Sequence, residues 1–256
     1  MKIKKGKIIT ITSSKGGIGK TIFMSNLAGT FHHLKKKTLL IDLDLYAGGI
    51  STLLNLNEKK TIYNLVLDVI NNRFDEIDNY VTKYSEYIDI LPACKDPRQG
   101  SKIEPRFIEQ LLNIYAHKYE IVLIDTNHIP LPINLLTMDL SDTILYMVSN
   151  DPIDLANSKA TMEIFKSTNK DNIKVVLNNS FNLNKKYFSL FDIKSMLGRN
   201  VDYVLKESLF IPDIDKYIME GIILVLNDKL SFNNNKDRDC LINMAKKIGE
   251  WDNEEA

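Results

Sequence analysis

Ser13-Ser14-Lys15-Gly16-Gly17-Ile18-Gly19-Lys20-Thr21 follows the apolar run Lys7-Ile8-Ile9-Thr10-Ile11-Thr12 and precedes a stretch of helical character. A strand, a glycine-rich turn and a helix start in that order aim several backbone N–H groups and the positive end of a helix at one point. That point suits a chain of phosphates. Lys20 supplies a mobile charge for the outer phosphates, and the Thr21 hydroxyl is a hard oxygen ligand suited to Mg²⁺. Gly16, Gly17 and Gly19 free the backbone to approach a ligand or to take positive φ. The generic form of this loop has glycine where Ser14 stands, and here a second lysine, Lys15, directly precedes Gly16-Gly17. A tight turn with solvated lysines is the bland alternative, and the strand–loop–helix context disfavours it.

Outward from the loop, short apolar runs alternate with longer amphipathic stretches. The pattern predicts strands over Lys7–Ser13, Thr38–Leu43, Tyr87–Leu91, Tyr119–Asp125, Thr143–Ser149, Ile173–Asn179 and Ser208–Ile211. Most are near-continuous in Ile, Leu and Val, as strands buried on both faces should be. Helical spacing marks Lys20–Leu34, Ile62–Asn71, Pro105–His117, Leu155–Ser167 and Asp237–Trp251. The expected fold is α/β: three layers, with a mostly parallel central sheet and helices on both faces. A chain of 256 residues suffices for one such domain. Residues 1–251 are expected to form it, with the acidic residues 252–256 as a frayed tail.

Lys plus Arg and Asp plus Glu both total 33, so no global field argues for nucleic acid or an anionic membrane. Cys94 and Cys240 have no second Cys or His at ligand spacing, which argues against a disulfide framework or a zinc site. No stretch approaches the ~20 apolar residues that span a bilayer, and Met1 to Gly6 is basic without a signal-peptide core. A cytoplasmic setting is the default expectation.

A phosphate loop requires acidic partners at neighbouring strand ends. Asp42-Leu43-Asp44 follows Leu39-Leu40-Ile41, and strand alternation would put both carboxylates on one face. Asp125 ends the run Ile121-Val122-Leu123-Ile124, a rigid mount for a carboxylate that holds Mg²⁺ through water. Thr126-Asn127-His128 follows, and a loop histidine without a paired nucleophile reads first as polar surface.

The form Lys15-Gly16-Gly17-Ile18-Gly19-Lys20-Thr21 resembles the deviant Walker A loop of the MinD/ParA superfamily of P-loop ATPases. The resemblance implies ATP and Mg²⁺ as ligands and a homodimer in the ATP-bound state, with Lys15 crossing to the partner's phosphates. It implies that Gly16, Gly17, Ile18, Gly19, Lys20, Thr21 and Ile22 hold the nucleotide, and that Lys15, Lys20 and Asp44 serve hydrolysis. Thr21, Asp44 and Asp125 fall to the metal, Asp44 by orienting water or the Mg²⁺ shell, and Asp42 to a supporting role. Val175-Val176-Leu177-Asn178 and Phe210-Ile211-Pro212-Asp213 resemble the segments that meet the base, which assigns Asn178 and Pro212 to it. Members of the family continue Asp-Thr-Pro-Pro after the metal aspartate, where this chain has Asp125-Thr126-Asn127-His128.

Within the superfamily, Asp42 to Gly49, Leu91-Pro92-Ala93, and Asn134 to Leu136 through Asp151 to Lys159 look most like the pilus-assembly ATPases CpaE and TadZ. That likeness implies a slow, partner-stimulated ATPase that positions a macromolecular assembly, recruited to the membrane or cell pole by a protein partner. A ParA-like DNA-partitioning role ranks second, because arginine is scarce and Lys35-Lys36-Lys37 reads as a solvated loop. A MinD-like or flagellar-number membrane regulator would use the C-terminal stripe Leu241, Met244, Ile248 and Trp251, but such a stripe more often packs on its own domain. A nucleotide-binding pseudoenzyme is a further alternative, given the altered segment after Asp125. The cysteines that iron–sulfur electron transfer needs are not at matching places.

Overall fold

The structure, a computed structural model, describes residues 5–180, 187–206, 214–227 and 235–250. Eight strands form one sheet: β1 (Lys7–Thr12), β2 (Thr38–Asp42), β3 (Thr82–Lys83), β4 (Ile88–Leu91), β5 (Ile121–Asp125), β6 (Thr143–Ser149), β7 (Ile173–Asn178) and β8 (Tyr203–Leu205). Their spatial order is β3-β4-β2-β5-β1-β6-β7-β8. All pairings are parallel except β3 with β4, where Thr82 faces Ile90 and Lys83 faces Asp89. β1 therefore sits between β5 and β6, and every chemically marked strand end lies on one edge of the sheet.

Alternation along the strands supplies both faces of the core. Ile9 and Ile11 join Leu40, Leu123, Leu145 and Met147 on one face, under α1 (Lys20–His33) and α10 (Asn235–Gly249). Leu39, Ile41, Val122 and Ile124 turn to the other, under α3 (Ile62–Ile70) and α5 (Pro105–Lys118). On that same side Ile144, Tyr146 and Val148 meet α7 (Pro152–Ser167) and α8 (Leu190–Leu197). The three-layer α/β expectation holds, and the buried strands explain why their sequences are apolar at nearly every position.

The short elements escaped the sequence reading: α2 (Ile50–Leu53), α4 (Pro97–Gly100), α6 (Pro132–Leu140), α8, α9 (Ile214–Met219), β3 and β8. The shortest have too few residues for their periodicity to stand out, whereas α6 is as long as α3 and opens in a segment interrupted by Pro130 and Pro132. The strands expected from Tyr87 and Tyr119 begin later, at Ile88 and Ile121, because both tyrosines stand before the ladder begins. Helix α7 begins three residues before the predicted Leu155, since Pro152 takes the first helical position and Asp151 caps it, accepting from the N–H groups of Ile153 and Asp154, each at 3.0 Å. β2 stops at Asp42, so strand alternation does not govern Asp44. The strand expected at Ser208–Ile211 lies outside the described residues, as do Pro212 and the acidic tail.

On α10, Leu241, Met244 and Ile248 are buried in the core cluster that α1 and the sheet share, so the stripe is a docking face of this domain. Trp251 lies outside the described residues. Met244→Ala is expected to lower stability by about 2–5 kcal/mol through the cavity it leaves, measured as the shift in urea-unfolding free energy.

Candidate functional site

β1 ends at Thr12 and α1 starts at Lys20, so residues 13–19 form a loop at the carboxyl edge of the central strand. Gly17 and Gly19 have φ of 71° and 90°, a region that costs a side chain dearly and that curls the loop into a concave nest. The Lys20 ammonium donates to Ser13 Oγ at 3.0 Å, and Ser13 in turn donates to the Lys15 carbonyl at 2.8 Å. Lys20 is buried; desolvation lowers its pKa, and the nearby Asp125, Asp44 and Asp154 carboxylates act against that shift. Asn178, at the end of β7, donates from Nδ2 to the Ile18 carbonyl at 3.0 Å, while its Oδ1 accepts from the N–H and hydroxyl of Ser180. Its amide thus buttresses the back of the loop.

The register of the sheet sets Asp42 directly beside Asp125. Asp42 is fully buried and accepts from the N–H groups of Asp44 and Ile50, each at 3.1 Å. Burial and the neighbouring Asp125 push its pKa far above the usual carboxylate range. Asp125 is raised mainly by burial, against the hydrogen bond from Thr21 and the charge of Lys20. Thr21 Oγ1 donates to Asp125 Oδ2 at 2.5 Å, which joins the first turn of α1 to the end of β5. Asp125 Oδ1 is buried with no hydrogen-bond partner. Asp44 lies in the following turn, where its carbonyl accepts from Ala47 and Gly48. A hydroxyl beside a buried carboxylate oxygen that lacks a hydrogen-bond partner fits a hard divalent cation with its water shell. Thr21 and Asp125 would hold Mg²⁺, with Asp44 at the rim.

Lys15 points away from this cradle. Its ammonium pairs with Asp151 Oδ2 at 3.2 Å, and its side chain is 40% exposed. Beside it, Ser14 takes the position of the usual glycine and bonds to the Tyr146 hydroxyl and, at 3.1 Å, to Ser158 Oγ. Ser158 reaches the buried Asp154 carboxylate, which also accepts from Ser149 N and Oγ at 2.6 and 2.7 Å. Two consecutive loop residues are thus tied to the first turns of α7. The sequence reading missed this support, although Asp151-Pro152 is a legible helix start.

His128 is exposed, as its loop position suggested, yet its ring lies over Gly16. The loop, Asp42, Asp125 and Asn178 lie together at one end of the sheet, with the Asn178 amide bonded to the Ile18 carbonyl of the loop.

A family model described as an AAA domain matches residues 6–175. The chain belongs to this family, within the MinD/ParA superfamily of P-loop ATPases. It is similar to the sporulation initiation inhibitor protein Soj of Bacillus subtilis, 26% identical over 85% of this chain and 82% of the relative. It is also similar to the septum site-determining protein MinD of Synechocystis, 31% identical over 46% of this chain and 44% of that protein. Among solved structures, a ParA family ATPase from Chlorobium tepidum superposes with a TM-score of 0.79 at 16% identity, covering 93% of this chain and 98% of that one. MinD of Pyrococcus horikoshii in complex with Mg-ADP does so with a TM-score of 0.75 at 21% identity, covering 95% and 96%. The MinD/ParA ATPases to which the chain belongs bind ATP with Mg²⁺. Among the described residues no helix is long and apolar enough to cross a membrane.

The paired carboxylates give the metal-free protein a pH signature. Asp42 and Asp125 hold protons more tightly in the fold than in the unfolded chain. Their contribution to stability is therefore fully present below the ordinary carboxylate range and is lost as pH rises toward the raised folded values. Asp42→Asn is expected to reduce that loss, read as urea midpoints in EDTA between about pH 5 and pH 8.

Proposed function

We propose that this chain is an ATP-dependent dimer switch with slow hydrolysis, whose turnover times the release of a larger assembly. The division of labour between its two loop lysines carries this reading. Lys20 is buried inside the cradle, whereas Lys15 is half exposed at the rim in an ion pair with Asp151. An exposed pair of this kind is worth little, about 0–1 kcal/mol, so Lys15 is free to exchange it for the phosphates of a nucleotide on a second copy. Gly16 to Ile22 wrap the phosphate chain, Lys20 faces its outer oxygens, and Asp44 orients the attacking water. Thr21 and Asp125 would hold Mg²⁺, which would supply positive charge beside the phosphates. Asn178 serves the base side by fixing the loop, with Pro212 assigned to the base on sequence grounds alone.

For the assembly served, we favour a pilus or secretion-type localisation role of the CpaE/TadZ kind. Two of the stretches that suggested it meet in space: a Cβ on Gly48 would lie 2.7 Å from Ala93 Cβ, so the Tyr46 to Gly49 turn is fitted to the Leu91-Pro92-Ala93 strand end. DNA partitioning, suggested by relatives such as the Borrelia burgdorferi plasmid partition protein, ranks second. In the basic cleft between α7 and α8, Lys170 pairs with Asp139 and Arg199 donates to the Ile173 carbonyl, which leaves less charge for phosphates.

Lys15→Ala is expected to retain ATP binding and lose ATP-induced dimerisation, seen as a monomer mass by light scattering with ATP where wild type doubles its mass. A variant that still doubles would overturn the switch.

A further inference from the structure

His128 stands three residues past Asp125, on the segment that leaves the metal end of β5 and crosses the entry half of the phosphate loop. The contact is close. A Cβ added to Gly16 would lie 3.2 Å from His128 Nδ1 and 3.3 Å from Cε1, so the imidazole occupies the space a side chain at position 16 would need. Gly16 does not have positive φ, unlike Gly17 and Gly19, so backbone strain would not bar a side chain there, and the His128 ring is what such a side chain would meet.

The segment bearing the ring is held rather than loose. Asn127 Oδ1 accepts from the Ile129 N–H at 3.0 Å and from Asn134 Nδ2, on α6, at 2.8 Å. Asn134 Nδ2 also reaches the Ile129 carbonyl at 2.8 Å, which closes the turn around His128 from both sides. Both asparagines are nearly fully buried, at 5% and 1% exposure. Asn127 Nδ2 and Asn134 Oδ1 nevertheless have no partner, an unusual cost in a buried amide pair. Evenly spread packing would not retain such a pair in place of apolar side chains; it makes sense as the mount of a group whose position matters.

The helix start Gly19 to Thr21 would receive the inner part of a phosphate chain, and Thr21 and Asp125 would hold the cation that neutralises its outer part. The ring beside Gly16, on the segment leaving Asp125, is then at the far end of the chain. An imidazole there carries an N–H able to donate to an anionic oxygen.

We propose that His128 contacts the terminal phosphate of bound ATP, with Asn127 and Asn134 as positioning residues that hold its turn over Gly16. This rests on nucleotide binding at the loop and is independent of dimerisation. The contact distinguishes ATP from ADP, because ADP offers no oxygen at that end.

Binding of Mg-AMPPNP and Mg-ADP to the full chain by isothermal titration tests it. His128→Ala is expected to weaken AMPPNP about ten-fold, the size of one hydrogen bond to a charged group, with ADP changed less than two-fold. His128→Gln, which keeps an N–H donor, should recover part of the loss. In the ring spectrum of wild type, one histidine is expected to shift on addition of Mg-AMPPNP but not Mg-ADP, and to be absent in His128→Ala. Equal losses for both nucleotides, or AMPPNP affinity unchanged in His128→Ala, would overturn the assignment while leaving the loop as a nucleotide site. A wild-type chain that binds neither nucleotide would overturn the nucleotide reading itself. Since His128 is exposed, its removal should leave the melting temperature unchanged, and a large fall would count against a ligand role.

Discussion

Parallel pairing of β1 with β5, and of β5 with β2, puts three strand ends side by side, and the site depends on that pairing more than on any single side chain. Because Asp42 faces Asp125 in register, two carboxylates are driven together inside the protein. Because β5 adjoins β1, the end of β5 reaches the first turn of α1, where Thr21 meets Asp125. A one-residue slip would turn both aspartates to the wrong face and separate hydroxyl from carboxylate.

This arrangement is costly when empty. Burial raises both aspartates and lowers Lys20, so desolvation penalises the charged form of each of these three groups. A divalent cation and a phosphate chain reverse those penalties, the first by supplying charge to the carboxylates and the second by supplying it to the lysine. Stability is thereby surrendered at the place where ligand is taken up, and the apolar faces of the sheet compensate for it.

Around that centre the loop is supported from three sides. Asn178 holds its back through the Ile18 carbonyl, the first turns of α7 hold Ser14 and Lys15, and the turn after Asp125 lies over Gly16. The three supports come from different strand ends, β7, β6 and β5, which explains why the loop alone does not define how its two lysines are used. Lys20 is committed to the cradle by burial, while Lys15 is left at the rim by an ion pair weak enough to exchange.

The loop, the strand pattern and the strand-end aspartates were legible in the amino-acid order, because each rests on local chemistry: glycine where φ is positive, unbroken apolar runs where both strand faces are buried, a carboxylate at a strand end. The family assignment followed from the lysine before Gly16-Gly17. Short elements such as α4 and β8 were not legible, since their few residues carry too little periodicity. Nor were contacts between residues distant in sequence, such as Ser14 with Tyr146 and Ser158, Lys15 with Asp151, and His128 with Gly16. His128 looks like ordinary loop polarity in one dimension and acquires meaning only when β5 is laid beside β1. Sequence alone therefore determined which chemistry the protein carries, because local backbone and charge requirements write themselves into residue types. Tertiary structure decided which groups face one another, because strand order and register, and not sequence spacing, set those distances.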